Sequence, residues 1–411
     1  MSADQRRLGV VIGANSLLGH RSGIGRMTLE IIDAVRGRPE LGGLLLLMAG
    51  KFHEPESVLA GLDAVSAEPE DAPPAAAAPT RRPIAMRAKA SIAGVPGVQR
   101  LRVVKRRLIQ HAMLAELRAA GGGRIVYHEP NMIPQRFGAG PTVVTVNDLS
   151  WHHHPEYHPK ERLDWIDAHI RRALAEATRF VAISRFTADA LTQEFGIAPA
   201  MIDVVPLAAS SAFAPMTEAA AAPALQRYGL HDRSYVLTVS TLEPRKNFDR
   251  LVAAHLLLPP ALRRKHPLVV VGGSGWGTTL ETPGAEQARR DGTLRLFGHV
   301  ADEHLVALYA RSAAFAYVSI YEGFGLPLIE AMAAGSPVLA SSTTATGETA
   351  GDAAILADPL DVEQIAAGLR RLLEDEALAD AYRARGLAHA AGFTWDRTAT
   401  ALIDTWRRAL D

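Results

Sequence analysis

Ala314-Phe315-Ala316-Tyr317-Val318-Ser319-Ile320-Tyr321-Glu322-Gly323-Phe324-Gly325-Leu326-Pro327 runs from an apolar strand, through two closely spaced glycines, into Leu328-Ile329-Glu330-Ala331-Met332-Ala333-Ala334-Gly335, and a further strand opens at Pro337. A continuous apolar strand reads as buried on both faces, the mark of a parallel sheet. Gly323 and Gly325 allow a tight turn and close approach of a ligand to the backbone. Pro327 suits the first helical turn, where a missing N–H costs nothing. The helix therefore starts with free N–H groups aimed beyond the strand end, an arrangement that attracts phosphate. Glu322 before the turn and Glu330 in the early helix can approach one ligand from two sides. A carboxylate in such a place can accept hydrogen bonds from both hydroxyls of a ribose. The bland alternative has Glu322 capping the turn and Glu330 complementing the helix dipole.

Upstream, Ser240-Thr241-Leu242-Glu243-Pro244-Arg245-Lys246-Asn247 follows the apolar strand that begins at Tyr235. Adjacent cations at the C-terminal end of a strand sit where doubly wound folds bind ligands. Arg245 can fork onto phosphate oxygens and Lys246 can act as a point charge. The competing reading is an exposed basic turn with Asn247 as N-cap of the next helix.

Working outward, the same alternation of strand and helix recurs along the chain. Strands are expected at Leu8–Ala14, Leu44–Met48, Arg124–Tyr127, Thr142–Asn147, Arg179–Ile183 and Asp203–Pro206. A second series is expected at Tyr235–Ser240, Leu268–Gly273, Leu294–Phe297, Ala314–Val318, Pro337–Ala340 and Ala354–Leu356. Between the series lies Ala208–Ala224, rich in Ala and Pro without periodicity, which reads as a linker. Two doubly wound α/β domains follow, at 1–207 and 225–394, rather than one (β/α)₈ barrel, which needs an unbroken series. A length of 411 residues fits two cores better than one.

Composition narrows the class. The chain has no cysteine, which excludes disulfides, thiolate-bound zinc and a cysteine nucleophile. Formal net charge is zero, so no nucleic-acid partner is indicated. No leader peptide or spanning segment is evident, and a cytoplasmic location is expected. From Ala72 to Ala115 there is no acidic residue, while Arg81, Arg82, Arg87, Lys89, Arg100, Arg102, Lys105, Arg106 and Arg107 crowd the stretch. Residues 81–107 are a candidate for peripheral contact with an anionic membrane, each cation near such a surface contributing about 1 kcal/mol. A solvated arm covering acidic patches of the same protein is the equal alternative.

The two motifs together resemble the family 4 retaining glycosyltransferases, whose architecture is two Rossmann-like domains (GT-B) facing across a cleft. Glu322 and Glu330 match that family's paired glutamates, and Arg245 with Lys246 its diphosphate-binding pair. Phe393-Thr394-Trp395 resembles the aromatic signature before a last helix, here 395–411, that crosses back to the first domain. The resemblance implies that Glu330 holds the donor ribose. It also implies that Glu322 and the backbone of Gly323, Phe324, Gly325 and Leu326 face the sugar and diphosphate. Ser184, Ser240, Gly273, His299 and Val300 are the further donor-binding positions expected on this ground.

In the first half, Ser22-Gly23-Ile24-Gly25-Arg26 follows the first strand. Its glycines let backbone amides reach an anion, although Thr28 stands where a dinucleotide fingerprint has its third glycine. The resemblance places Gly23, Ile24 and Gly25 at the donor diphosphate; a plain tight turn is the alternative. Val146-Asn147-Asp148-Leu149-Ser150-Trp151-His152-His153-His154-Pro155-Glu156 follows the fourth strand. Family members commonly carry His-Asp at Asn147-Asp148, the histidine lying near the transferred sugar. Asparagine there can bind a hydroxyl but cannot take a proton near neutral pH.

The clustered histidines with Glu156 and His158 do not have the spacing of a helical metal site, so a helix-capping or acceptor-cleft role is expected of them instead, and no Asp-x-Asp occurs. No metal and no other cofactor is therefore expected, the diphosphate being met by Arg245, Lys246 and helix N-termini. Ser184-Arg185-Phe186-Thr187 resembles another cleft segment of the family, with simple N-capping by Ser184 as its alternative. The expected activity is retaining transfer of a hexose from a nucleoside diphosphate sugar to a saccharide acceptor. Asn147–Trp151 and Gly273-Ser274-Gly275-Trp276 resemble mannosyltransferases of O-antigen or capsule assembly. That points to GDP-mannose first, UDP-hexose second, and a polyprenyl-diphosphate-linked acceptor at the inner membrane face. A nucleotide-sugar 2-epimerase and a non-catalytic nucleotide-sugar-binding protein are the rival readings.

Overall fold

A computed structural model describes residues 7–18, 23–66, 96–273, 275–277 and 279–411, with the backbone alone for 63–66 and 96–107. Two sheets organise it. The first contains β1 (Leu8–Gly13), β2 (Leu41–Met48), β3 (Lys51–His53), β4 (Ile125–Glu129), β5 (Thr142–Val146), β6 (Arg179–Ala182) and β7 (Ile202–Val204) in the spatial order β3-β2-β1-β4-β5-β6-β7. β1 is buried along its whole length and pairs in parallel with β2 on one side and β4 on the other, which is why its sequence shows no polar alternation. The second sheet contains β8 (Val236–Val239), β9 (Leu268–Val271), β10 (Leu294–Gly298), β11 (Ala314–Tyr317), β12 (Val338–Ser341) and β13 (Ile355–Ala357), in the order β10-β9-β8-β11-β12-β13. All of its pairings are parallel.

All twelve expected strands are present, with ends shifted by a residue or a few. β3 was not expected. It is a three-residue antiparallel edge on β2, pairing Leu46 with His53 and Met48 with Lys51. Lys-Phe-His is too short to show a period, and the tight reversal at Ala49-Gly50, both with positive φ, is what creates it.

The stretch read as a linker differs from expectation. Residues Glu218–Arg227 form a helix whose N-cap Thr217 accepts a hydrogen bond from the Ala220 amide at 3.3 Å. Alanine is the strongest helix former, and Ala221, Ala224 and Leu225 are buried. Helix propensity and burial outweigh Pro223, which sits inside the helix.

By compactness the chain divides into Met1–Pro130 with Pro134–Val143 and Trp406–Asp411, and a larger unit of Asn131–Ile133 with Val144–Thr405. The last helix, Trp395–Leu410, contributes to both. In the larger unit the Thr398 hydroxyl donates to the Pro206 carbonyl at 2.8 Å; in the smaller, Trp406 lies edge-on to His128. Around the second sheet, Phe248, Leu251, Val252, Val270, Leu339 and Leu369 belong to one apolar core.

In the second sheet the strand order reverses between β8 and β11, which are direct neighbours: Ala314 pairs with Val236 and Phe315 with Leu237. The C-terminal ends of two strands on either side of such a reversal leave room for a ligand. Both sequence motifs leave the sheet there, 240–247 from β8 and 318–325 from β11.

Candidate active site

Two loops that lie far apart in sequence meet at this reversal. The Ile320 amide donates to the Arg245 carbonyl at 2.8 Å, and the Arg245 guanidinium donates to the Tyr321 carbonyl at 3.1 Å. The Asn247 carboxamide donates to the carbonyls of Val318 at 2.9 Å and Pro359 at 2.7 Å. Asn247 therefore does not cap the following helix with its side chain. With a positive φ of 63°, it turns the chain and spends its amide on tying the two loops together.

The Glu322 carboxylate is the centre of the arrangement. It accepts from Lys246 Nζ at 2.6 Å, from Arg245 at 3.1 Å and from the Tyr317 hydroxyl at 2.8 Å. Arg245 also donates to Glu243 at 3.0 Å, and Lys246 to Tyr317 at 3.2 Å. Side chains of Glu322, Lys246 and Arg245 are only 8%, 9% and 14% exposed. Burial by itself would raise the Glu322 carboxyl, but Lys246 and then Arg245 overcome it and hold the group at about 2. Lys246 is drawn below its ordinary value by burial and by Arg245, against the pull of Glu322. Burial and Glu322 push Tyr317 well up, so its hydroxyl stays a donor. Each cation is thus matched by a carboxylate, in a dry setting where a lost partner is costly.

The competing reading of an exposed basic turn fails here, because both side chains are buried. Arg245 and Lys246 are brought to the predicted place but already share Glu322. Sequence reading gave no part to Tyr317 or Glu243. Tyr317 was visible only as the last residue of an apolar strand, and Glu243 only as a neighbour of Arg245.

Three residues after Glu322 the helix Leu326–Ala334 starts at Gly325, which has φ 94° and offers no side-chain cap. Its first N–H groups have no side-chain acceptor at the cap, the state that favours an anion. Glu330 lies in this helix, buried at 7% exposure, and its carboxylate accepts from the Tyr309 hydroxyl at 3.1 Å. Gly323 approaches the loop after β5 so closely that a β-carbon there would lie 1.7 Å from the Asn147 carbonyl oxygen and 2.9 Å from Asp148 Cβ. Asn147 and Asp148 are therefore at the Glu322-Gly323 turn. Asp148 accepts from the Ser150 amide at 3.0 Å and the Ser150 hydroxyl at 2.8 Å.

The remaining positions divide. Ser184 is the N-cap of the helix Arg185–Phe195, accepting from the Thr187 amide at 3.1 Å, and Thr187 in turn donates to the Gly323 carbonyl at 3.4 Å. Ser240 and Gly273 lie at the ends of β8 and β9, where the Ser240 amide donates to Val271 and the Gly273 carbonyl accepts from Leu242. Val300 is buried and His299 exposed beyond β10. Gly23, Ile24 and Gly25 belong to the other compact unit. They are not a free turn but the first residues of the helix Gly23–Val35, and Ser22 lies outside the described residues.

The histidine run finds aromatic partners. His153 stacks on Tyr321 with ring centroids 5.5 Å apart, His154 stacks on Tyr157 at 5.4 Å, and His152 meets Phe195 at 5.2 Å. Among the described residues no three His, Asp or Glu side chains converge as a metal site.

Residues 225–388 match the family model of glycosyl transferases group 1, and residues 80–210 that of glycosyltransferase family 4. The O-antigen chain mannosyltransferase B of Escherichia coli is 38% identical over 283 residues, covering 69% of this chain and 74% of that one. This chain is a glycosyltransferase of that family. A second relative of the enzyme, the serotype-specific mannosyltransferase WbdA of Escherichia coli, is 34% identical over 187 residues. That stretch is 45% of this chain but only 23% of WbdA. Among solved structures, Anabaena HepE in complex with UDP and glucose superposes with a TM-score of 0.67 at 18% identity, covering 98% of this glycosyltransferase and all of that chain. WaaG, a glycosyltransferase involved in lipopolysaccharide biosynthesis, gives 0.63 at 17% identity, with 96% and 98% covered. These likenesses bear out the two-domain GT-B fold class.

Proposed function

We propose that this glycosyltransferase moves mannose from GDP-mannose to a saccharide acceptor, lipid-linked, in assembly of a bacterial surface polysaccharide. The observation that carries the reading is the buried Arg245–Lys246–Glu322 cluster, whose Glu322 stands three residues before Gly325, the uncapped start of the helix Leu326–Ala334. Two cations and a helix start can together stabilise a leaving diphosphate. The choice of mannose and of an O-antigen-like acceptor rests on the name of the 38% identical relative. HepE was solved with UDP, which keeps UDP-hexose as the second donor class.

In this reading Glu330 grips the ribose and the N–H groups after Gly323 meet the diphosphate. The bond from the sugar's anomeric carbon to the diphosphate oxygen breaks as Arg245 and Lys246 take up the developing charge. A bond from the acceptor oxygen forms on the same face, with retention, and the acceptor proton passes to the departing phosphate oxygen. No metal enters this scheme. Division into an acceptor domain at 1–207 and a donor domain at 225–394 belongs to the same proposal, as do a cytoplasmic site of action and peripheral membrane contact through 81–107. Most of that basic segment lies outside the described residues, and none of its side chains is described. No helix among the described residues is long and apolar enough to cross a membrane.

A thermal-shift screen of GDP, UDP, GDP-mannose and UDP-glucose tests the donor, with GDP species expected to give the larger shift. Transfer from the preferred nucleotide sugar to a lipid-linked mannoside is then measured with EDTA present. Activity lost in EDTA and restored by Mn²⁺ would overturn the metal-free scheme. Interconversion of the donor with no acceptor present would make the protein an epimerase.

A further inference from the structure

His158 is held by a chain of hydrogen bonds that the proposed mechanism leaves unused. Its Nε2 lies 3.0 Å from the Ser150 hydroxyl oxygen, and that hydroxyl donates its single proton to Asp148 at 2.8 Å. Ser150 can then only accept from the imidazole, so Nε2 carries the ring proton. The tautomer is fixed, and Nδ1 is left with its lone pair. His158 is 9% exposed, and its Nδ1 is buried with no hydrogen-bond partner among the described residues. An acceptor buried without a partner costs about 1–3 kcal/mol, and its retention beside a reaction centre calls for an explanation.

The surroundings are built rather than incidental. The Trp276 ring lies 5.9 Å from the imidazole, with the Arg162 guanidinium 5.3 Å from the centre of that ring and the indole N–H donating to the Tyr157 carbonyl at 2.5 Å. The loop carrying Trp276 is pressed onto the loop of the diphosphate pair. A β-carbon at Gly275 would meet the Leu242 carbonyl oxygen at 2.4 Å, three residues before Arg245. Charged groups acting on His158 are Arg162, Asp148, Arg245 and Glu156. Burial first, then Arg162, lowers the imidazole to about 4, so the ring is neutral under ordinary conditions and does not compete as a cation with Arg245.

We propose that His158, its tautomer set by Ser150 and Asp148, binds the transferred sugar by accepting a hydrogen bond at Nδ1 from one of its hydroxyls. The proposal rests on the nucleotide-sugar reading of the site.

Binding of GDP and GDP-mannose, with UDP and UDP-glucose as the second pair, is measured by calorimetry for the wild type and two variants. His158→Gln keeps a donor near Nε2 and loses the Nδ1 acceptor; His158→Asn keeps an oxygen acceptor near Nδ1 and loses the donor. In the wild type the sugar adds affinity over the bare nucleotide. His158→Gln is expected to lose that increment by about tenfold with unchanged affinity for the nucleoside diphosphate, while His158→Asn retains most of it. In transfer assays the Gln variant shows its loss in donor KM more than in kcat. Should both variants keep the full increment, or both lose it equally along with nucleoside diphosphate affinity, His158 is structural and the proposal is overturned. A wild type that binds no nucleotide would overturn the nucleotide-sugar reading itself.

Discussion

Lys246 Nζ lies 2.6 Å from Glu322, and the two residues are 76 positions apart in the chain. They belong to loops leaving neighbouring strands of one sheet, so the pair is a product of strand order. Its chemistry is that of a buried, charge-balanced cluster whose members cannot be altered singly without consequence.

Replacing Glu322 with Gln leaves Lys246 and Arg245 facing each other without their shared carboxylate. Breaking a buried pair from one side costs about 3–5 kcal/mol, so the melting temperature at neutral pH should fall markedly. The sign with pH follows from linkage. The Glu322 carboxyl is lowered from 4.5 to about 2 in the folded protein, so its contribution is full above the ordinary carboxyl value and fades as pH drops toward about 2. Thermal melts across that window should show wild type and Glu322→Gln converging as the medium is acidified. A gap that stays constant would mean the carboxylate is not what the cations stabilise.

Glu330 offers a cleaner test of nucleotide binding. Glu330→Gln keeps an oxygen to accept from Tyr309, so unfolding in urea should change little. In the proposed role, however, Glu330→Gln takes from two ribose hydroxyls a charged acceptor worth about 1.5–3 kcal/mol per hydrogen bond. Calorimetry should show at least about a tenfold rise in the nucleoside diphosphate dissociation constant. Unchanged affinity would remove Glu330 from the ribose.

Gly323 and Gly23 should separate under the same substitution. Neither needs positive φ, so space alone decides. A methyl at 323 collides with the Asn147 backbone, while one at 23 meets nothing within 4 Å. Gly323→Ala is expected to cost about 1–3 kcal/mol or more, and Gly23→Ala to leave urea unfolding unaltered. Weaker nucleotide binding by Gly23→Ala with stability intact would put that helix start at the donor.

Glu348 caps a helix from outside it. Its two oxygens accept from the Arg185 amide at 2.9 Å and the Phe186 amide at 2.8 Å, the first turn of Arg185–Phe195, where Ser184 satisfies Thr187. Glu348→Ala should lower stability by about 1 kcal/mol, and Glu348→Gln, with one oxygen, by less. Amide exchange at Arg185 and Phe186 reports the loss directly; protection equal to wild type would show that solvent replaces the carboxylate without cost.

Much of the molecule was determined by local pattern. Runs such as Val269-Val270-Val271 and Ala314–Tyr317 are apolar on both faces and short, and a chain of such strands alternating with helices has few folds open to it. Gly-Phe-Gly-Leu-Pro fixes a turn and a helix start by backbone sterics alone, so Glu322 and Glu330 could be singled out without coordinates. Pairing between distant loops was beyond that reach. That Lys246 and Arg245 spend their charge on Glu322, that Gly323 must be glycine because of Asn147, and that Ser150 fixes the proton on His158 all depend on which strands become neighbours. Local sterics and periodicity are properties of contiguous residues; the partners of a buried charge are settled only when the sheet closes and water leaves.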